Sequence, residues 1–280
     1  MKSVPNNSWC EISEDAARQY INARSVFTAY EEACQEAVEV RGGMYWKSQG
    51  QTSYLIRTSI KNSQKSLGPR SAETEAIFQQ FTTRKTMAEQ RLAGLSTEMI
   101  CQQRMNRALH VGHAPQLLVE ILSRIAKAGL TDHFTVVGTH ALYAYEAAAG
   151  VRFMVDAMTT RLSFVTQVDR LDVLNLLQKA DHTFAIRKDQ GCTALNSRGF
   201  EVEIISGRIC GELTEQLQNG KRFSEMVVAS TGHMARMNTI HPLLWGPEQK
   251  ACNQLKQRRD LLQALVEQYL PHLLGNGWDS

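Results

Sequence analysis

One unit near the middle of the chain does most to limit the fold: a short strand, a glycine turn and a helix. The apolar, β-branched run 134–137 leads into Gly138-Thr139, and residues 140–149 then follow helical spacing up to Gly150. Glycine lets a ligand approach the backbone, and a helix start presents unpaired N–H groups to an anion. The turn therefore predicts either a phosphate site, to which the Thr139 hydroxyl could donate, or an ordinary turn capped by Thr139.

The pattern around this unit predicts an α+β fold in two modules. Helical spacing of apolar residues predicts helices over 13–42, 71–93 (interrupted at Gly94), 117–128, 168–180 and 248–270. Short β-prone runs predict a hairpin over 44–58 and strands over 184–187, 192–195, 200–205 and 226–229. We expect a helical module with a small β-hairpin over 1–110. A mixed sheet flanked by helices, with a long C-terminal helix, is expected over 111–280.

Composition narrows the class of protein. A chain of 280 residues exceeds the usual size of one domain, and 43% hydrophobic with 21% charged residues is typical of globular proteins. A formal net charge of +3 excludes a histone-like polycation. Six scattered cysteines without a C-x-x-C pair, no apolar leader and no apolar run of about 18 residues favour a cytoplasmic protein with no membrane partner.

Acidic residues on the predicted strand 200–205 are a second candidate site. Strand alternation places Glu201 and Glu203 on one face, opposite Val202 and Ile204. Two such carboxylates can share a divalent metal or act in acid–base chemistry, although a solvated strand face is commoner. The pair His110 and His113 is weaker, because Gly112 between them opposes a helix that would align the rings.

Several segments resemble one known family. Residues 137–153 resemble the first signature of a bacterial nucleotidyltransferase-fold family, distantly related to the DNA polymerase β and minimal nucleotidyltransferase superfamily. Residues 196–205 are similar to its second block. Further resemblance lies at 45–47, 54–57 and 67–71 in its N-terminal module, and at 256, 258–260 and 269–271 in its C-terminal helix.

The resemblance implies a function. In that superfamily a Gly-Ser or Gly-Thr turn precedes a strand with two aspartates in a D-x-D arrangement, and a later strand adds a third carboxylate; together they hold Mg²⁺ for nucleotide transfer from an NTP. The acceptor stays open between a protein, an RNA and a small molecule. The implied site residues are Gly138, Thr139, Lys256 and Arg259 for the nucleotide, and Asp156 and Glu203 as catalytic metal ligands.

This sequence departs from the family where the metals would be held. The D-x-D strand should lie between segments resembling 158–160 and 161–164, which are joined directly here, so on the order of ten residues are lacking. Asp156 is the acid left nearby. We therefore expect impaired Mg²⁺-dependent transfer or, as the alternative, a catalytically inactive nucleotide-binding, regulatory or interaction module.

Two further expectations follow from the same departure and from the first module. Loss of a strand would expose a sheet edge and make the chain less stable. The edge would be avoided if neighbouring segments re-pair or if residues 154–164 supply a substitute strand. It would be covered if a protein partner or a second copy of the chain binds there. A weaker alternative function is nucleic-acid binding through the aromatic and basic residues of the hairpin. The favoured interpretation of these residues is that the hairpin packs on the first helix. These residues are Tyr45, Trp46, Lys47, Tyr54 and Arg57.

Overall fold

The computed structural model describes residues 9–153, 161–187, 192–206 and 222–240. Three predicted site residues, Asp156, Lys256 and Arg259, lie outside the described residues, as does the predicted helix 248–270. The chain forms two compact units, one of residues Ile21–Arg104 and one of Met1–Tyr20 with Met105–Ser280. The division into domains 1–110 and 111–280 stays a prediction.

The described helices and strands follow a mixed order along the chain. The helices are α1 Glu14–Glu39, α2 Ala72–Ala108, α3 Gln116–Lys127, α4 Leu142–Ala149 and α5 Arg170–Ala180. The strands are β1 Trp9–Glu11, β2 Gly43–Gln49, β3 Thr52–Thr58, β4 Gln64–Pro69, β5 Phe134–Val137, β6 Val151–Phe153, β7 Arg161–Thr166, β8 Ala185–Ile186, β9 Thr193–Leu195, β10 Glu201–Ser206, β11 Arg222–Val228 and β12 Met234–Ile240. Short 3₁₀ helices span Thr131–His133 and Thr139–Ala141. None of the described helices combines the length and apolar character needed to cross a membrane.

The unit of residues 21–104 contains the predicted hairpin, extended by a third strand. Strands β2, β3 and β4 form an antiparallel sheet. Its rings and cations contact α2: Trp46 lies 5.9 Å from Phe78 between ring centroids, and the Arg57 guanidinium lies 4.2 Å from the centre of the Phe81 ring. Such contacts are those of a packed hairpin, and they involve the second helix. Nucleic-acid binding stays a prediction.

Helix α2 differs from its prediction because it passes through Gly94 without a break. A glycine inside a helix costs only about 1 kcal/mol relative to alanine. Ion pairs between α2 and α1 lie close to that point, with Arg91 2.5 Å from Glu36 and 3.2 Å from Glu32. The predicted interruption is therefore wrong, and the helix continues to Ala108.

Among the described residues, the second unit contains a mixed sheet of seven strands, in the order β11-β12-β5-β7-β10-β9-β8. Strand β7 pairs antiparallel with β5 and parallel with β10. The predicted α+β class with a mixed sheet and flanking helices is confirmed. Strand β7, which contains residues 161–164, lies in the middle of this sheet. The loss of a strand, and how the sheet would compensate for it, stay predictions.

One face of this sheet carries the main core. Leu162 and Phe164 of β7 and Val202 and Ile204 of β10 are buried together with the apolar side of α3. Helix α5 packs there as well, through Val173, Leu176 and Leu177. Leu171 of α5 is 64% exposed, because at 100° per residue it lies on the far side of the helix from Val173.

Three buried hydrogen bonds hold one end of each long helix in the sheet unit. Gln19 Nε2 donates to Asn106 Oδ1 at 3.0 Å, and Asn106 Nδ2 donates to the Gly232 carbonyl at 3.3 Å. The Tyr20 hydroxyl donates to the Met226 carbonyl at 2.7 Å. Gln19 and Tyr20 belong to α1 and Asn106 to α2, so each long helix has one end inside this unit.

Candidate functional site

The glycine turn after β5 has the geometry that its sequence predicts. Gly138 has φ +79°, a left-handed conformation that side chains other than glycine rarely adopt. A Cβ atom built there would meet no atom of the described residues within 4 Å. Thr139 is buried, and the helix caps are Gly138 and Ala141. The predicted capping by Thr139 is therefore wrong.

The register of three neighbouring strands brings this turn to the same sheet edge as the predicted acids. Val137 lies opposite Ser163, and Ser163 lies opposite Glu203. Arg161 lies opposite Glu201, two residues nearer the edge. Because β5 runs antiparallel to β7, its end leads toward the start of β7 and of β10. The turn, the first residues of β7 and both glutamates thus belong to one edge.

The two glutamates at this edge already have partners. Arg161 bonds to Glu201 Oε2 through Nε at 2.7 Å and through Nη2 at 2.7 Å. Arg187 bonds to Glu201 Oε1 through Nη1 at 3.1 Å. Ser163 Oγ donates to Glu203 Oε2 at 2.9 Å. The side chains of Arg161, Arg187 and Glu201 are 26%, 32% and 20% exposed, so water screens their attraction only in part.

These contacts do not fit a divalent metal. Both Glu201 oxygens face guanidinium groups, and two positive charges beside the carboxylates oppose the approach of a cation. Within the part of the chain that the structure describes, no three His, Cys, Asp or Glu side chains come together as a metal site would require. The roles of Glu203 and Asp156 as catalytic metal ligands stay predictions, and Asp156 lies outside the described residues.

A hydrogen-bonded loop holds the start of β10. Asn196 Oδ1 accepts from the backbone N–H groups of Arg198 and Phe200, and its Nδ2 donates to Asp181 Oδ2 at 3.1 Å. Hydrogen bonds from the side chain and backbone of Thr183, with that from Asn196, lower the pKa of Asp181. The loop thereby fixes the start of β10, and with it the positions of Glu201 and Glu203.

A cavity of about 30 Å³ lies beside α4. Glu146 is 3% exposed there, and its Oε1 accepts from the Phe153 N–H at 2.7 Å. His113 Nε2 lies 3.1 Å from Glu146 Oε2. Burial, and then the charge of Glu146, raise the pKa of Tyr143 to about 12. His113, the second member of the weak His pair, is thus brought to a carboxylate.

Sequence reasoning missed Arg161, Ser163 and Arg187 as site residues. A signal for the first two was present, because Arg161 and Ser163 alternate with apolar residues as Glu201 and Glu203 do. Matching the two patterns as neighbouring strands would have paired them. Arg187 follows β8 and gave no comparable signal, since its contact depends on the order of the strands.

Comparison with known proteins adds one finding. The sequence model of a nucleotidyltransferase family matches residues 116–219, which is less than half of the chain. The match includes the Gly138 turn, β7 and β10, and it supports a nucleotidyltransferase-type family and fold for this segment. No curated protein and no solved structure matches the chain.

Proposed function

We propose that the chain binds a nucleoside triphosphate at the edge formed by the Gly138 turn and does not use it for Mg²⁺-dependent transfer. One observation carries this proposal. The strand beside the turn, β7, presents Arg161 and Ser163 toward Glu201 and Glu203, where transfer would need further acids. The protein then acts as a nucleotide-binding module with a regulatory or interaction role.

Several features support binding of phosphate. The open space at Gly138 lets an anion reach the backbone N–H groups that begin the 3₁₀ helix and α4. The match to a nucleotidyltransferase family supports an NTP as the ligand. Lys256 and Arg259 are proposed to contact the triphosphate, and both lie outside the described residues.

Mg²⁺-dependent transfer to a protein, RNA or small-molecule acceptor is the second candidate. The family match over residues 116–219 favours it. It would require Asp156 and Glu203 to act as metal ligands, against the contacts that Arg161 and Ser163 make at the same edge. A cytoplasmic location is proposed with either function.

Nucleotide binding is tested by calorimetric titration with ATP, GTP, CTP and UTP, with thermal denaturation as a second readout. Gly138→Ala should weaken binding about tenfold, because the new methyl group occupies the space that phosphate must enter. Gly129→Ala is the matched control, since Gly129 has φ +71° and equally open surroundings but follows α3. If none of the four nucleotides binds, the proposed function is wrong.

Transfer is tested separately with labelled NTPs, Mg²⁺ or Mn²⁺, and a cell extract as the source of acceptors. The proposal expects no labelled product. Label transfer by the native chain that disappears in Glu203→Ala would establish the second candidate and reject the first.

A further inference from the structure

We infer that Arg161 and Arg187 take the place of a divalent cation, so that a phosphate group binds directly to their guanidinium groups without Mg²⁺. This inference rests on the proposed nucleotide binding and names its chemistry. The observation behind it is that both guanidinium groups converge on one carboxylate, Glu201, at the edge where the Gly138 turn ends β5.

The strand register places Arg161 close to the turn along the sheet. Val137, the last residue of β5, pairs with Ser163, and Arg161 lies two residues beyond Ser163 on β7. Because the two strands are antiparallel, β7 read backward from Ser163 to Arg161 runs in the same direction as β5. The chain that continues from β5 into Gly138 and Thr139 therefore runs toward Arg161. An anion at the turn therefore lies beside the first residue of β7.

The charges of this group balance without a metal. Arg161 and Arg187 contribute two positive charges, and Glu201 and Glu203 contribute two negative ones. A cluster of acids alone would need a cation before a triphosphate could approach, because like charges repel. Here Arg161 and Arg187 supply positive charge beside the carboxylates. They reduce the repulsion between the carboxylates and a triphosphate, which a metal would otherwise have to reduce.

Arginine also suits the shape of a phosphate. A guanidinium group carries five N–H donors in one plane and binds phosphate with the same two-point geometry that it uses with carboxylate. Glu201 restrains both groups through bonds of 2.7 and 3.1 Å, so little side-chain freedom is lost when a ligand binds. The side chains of Arg161 and Arg187 are 26% and 32% exposed, so part of each lies at the surface.

The test compares ATP with inorganic tripolyphosphate by calorimetric titration, in EDTA and in excess Mg²⁺. Both ligands should bind in EDTA, with a Kd within about twofold of that in Mg²⁺. Arg161→Gln and Arg187→Gln should each weaken binding in EDTA about tenfold or more, since each removes charge-assisted hydrogen bonds. Arg124→Gln is the matched control: Arg124 also pairs with a glutamate, Glu120, but lies on α3 against the other face of the sheet.

The outcomes separate this inference from the proposed function. Binding of ATP only with Mg²⁺ would overturn the inference and leave nucleotide binding intact. Binding of tripolyphosphate but not ATP in EDTA would uphold the inference and reject a nucleotide ligand, and failure of both ligands would reject both. Unchanged affinity in folded Arg161→Gln and Arg187→Gln would also overturn it; if the first variant does not fold, the second and Arg161→Lys decide.

Paramagnetic resonance with Mn²⁺ gives a readout that needs no nucleotide. We expect no tight Mn²⁺ site on the native chain alone, with a Kd weaker than about 1 mM, because Arg161 and Arg187 already pair with Glu201 and repel a cation from this edge. Tight binding of Mn²⁺ that is lost in Glu203→Gln would contradict the inference.

Discussion

Ser163 on β7 donates a hydrogen bond of 2.9 Å to Glu203 on the neighbouring strand β10. Two residues earlier on each strand, Arg161 and Glu201 make the corresponding contact. Glu201 and Glu203 thus each accept a hydrogen bond from a side chain of β7. The two contacts are two residues apart, which is the period of side chains on one face of a strand. A short run of β7 therefore decides whether this edge favours a cation or an anion.

Replacing those two partners with acids should create a metal site. The double substitution Arg161→Asp with Ser163→Asp would place two carboxylates beside Glu203, with the spacing of a D-x-D strand. Without metal, repulsion between the acids should lower the melting temperature. Mn²⁺ at about 100 times its Kd should restore about 2.7 kcal/mol of stability, measured by denaturation with and without the ion.

The control for that experiment keeps the size of the side chains and removes their charge. Arg161→Asn with Ser163→Asn should show no stabilisation by Mn²⁺, because neutral amides are weak metal ligands beside carboxylates. If both double variants respond equally to Mn²⁺, the ion binds elsewhere and the assignment of this edge is wrong.

Gly112 should tolerate no side chain. A Cβ atom there would lie 2.1 Å from the Val228 carbonyl oxygen, which accepts a hydrogen bond from the Ala114 N–H at 3.1 Å. Gly112→Ala should therefore lower the free energy of unfolding by more than about 2 kcal/mol in urea denaturation. Gly94→Ala, inside α2 with open surroundings, should raise it by about 0.5–1 kcal/mol. Equal effects of the two changes would contradict the packing at Val228.

Tyr143 should make stability sensitive to alkaline pH. Its pKa of about 12 in the folded chain lies above the ordinary value of 10.0, first because it is buried and then because Glu146 is near. The neutral phenol is thus favoured by folding. Its contribution is complete below pH 10 and is lost as the pH rises toward 12. Tyr143→Phe should lose less stability over that interval, which denaturant titrations at pH 9 and 11.5 would reveal; parallel curves would refute the shift.

Asn196 should stabilise the start of β10. The side chain is 4% exposed and bonds to Arg198, Phe200 and Asp181. Asn196→Ala should cost about 1–2 kcal/mol, because two partly buried backbone N–H groups lose their acceptor. Ser197→Ala, at an exposed neighbour, should cost less than about 0.5 kcal/mol. Hydrogen exchange would show the loss in β10 first, and a loss confined to α5 would contradict this role.

Local pattern predicted the parts of the site that depend on neighbours in sequence. The Gly138 turn follows from glycine in a strand-to-helix junction, and the shared face of Glu201 and Glu203 follows from strand alternation. The place of β7 between β5 and β10 depends on pairings between distant segments, which no local pattern encodes. Arg187 and the buried strand β12, with polar Arg236 and Asn238 among its residues, were hidden for the same reason.

The hydrogen bond between Gln19 and Asn106 indicates which segment of the chain can be deleted. The stretch 21–104 departs from the sheet unit and returns to it at neighbouring points, as an insertion within a domain does. A short Gly-Ser bridge from residue 20 to residue 105 could therefore excise it. Truncation at residue 110 would instead strip away β1 and the Tyr20 bond to Met226. The segment that can be removed is thus internal, and the unit that remains is made of two separate stretches of the sequence, 1–20 and 105–280.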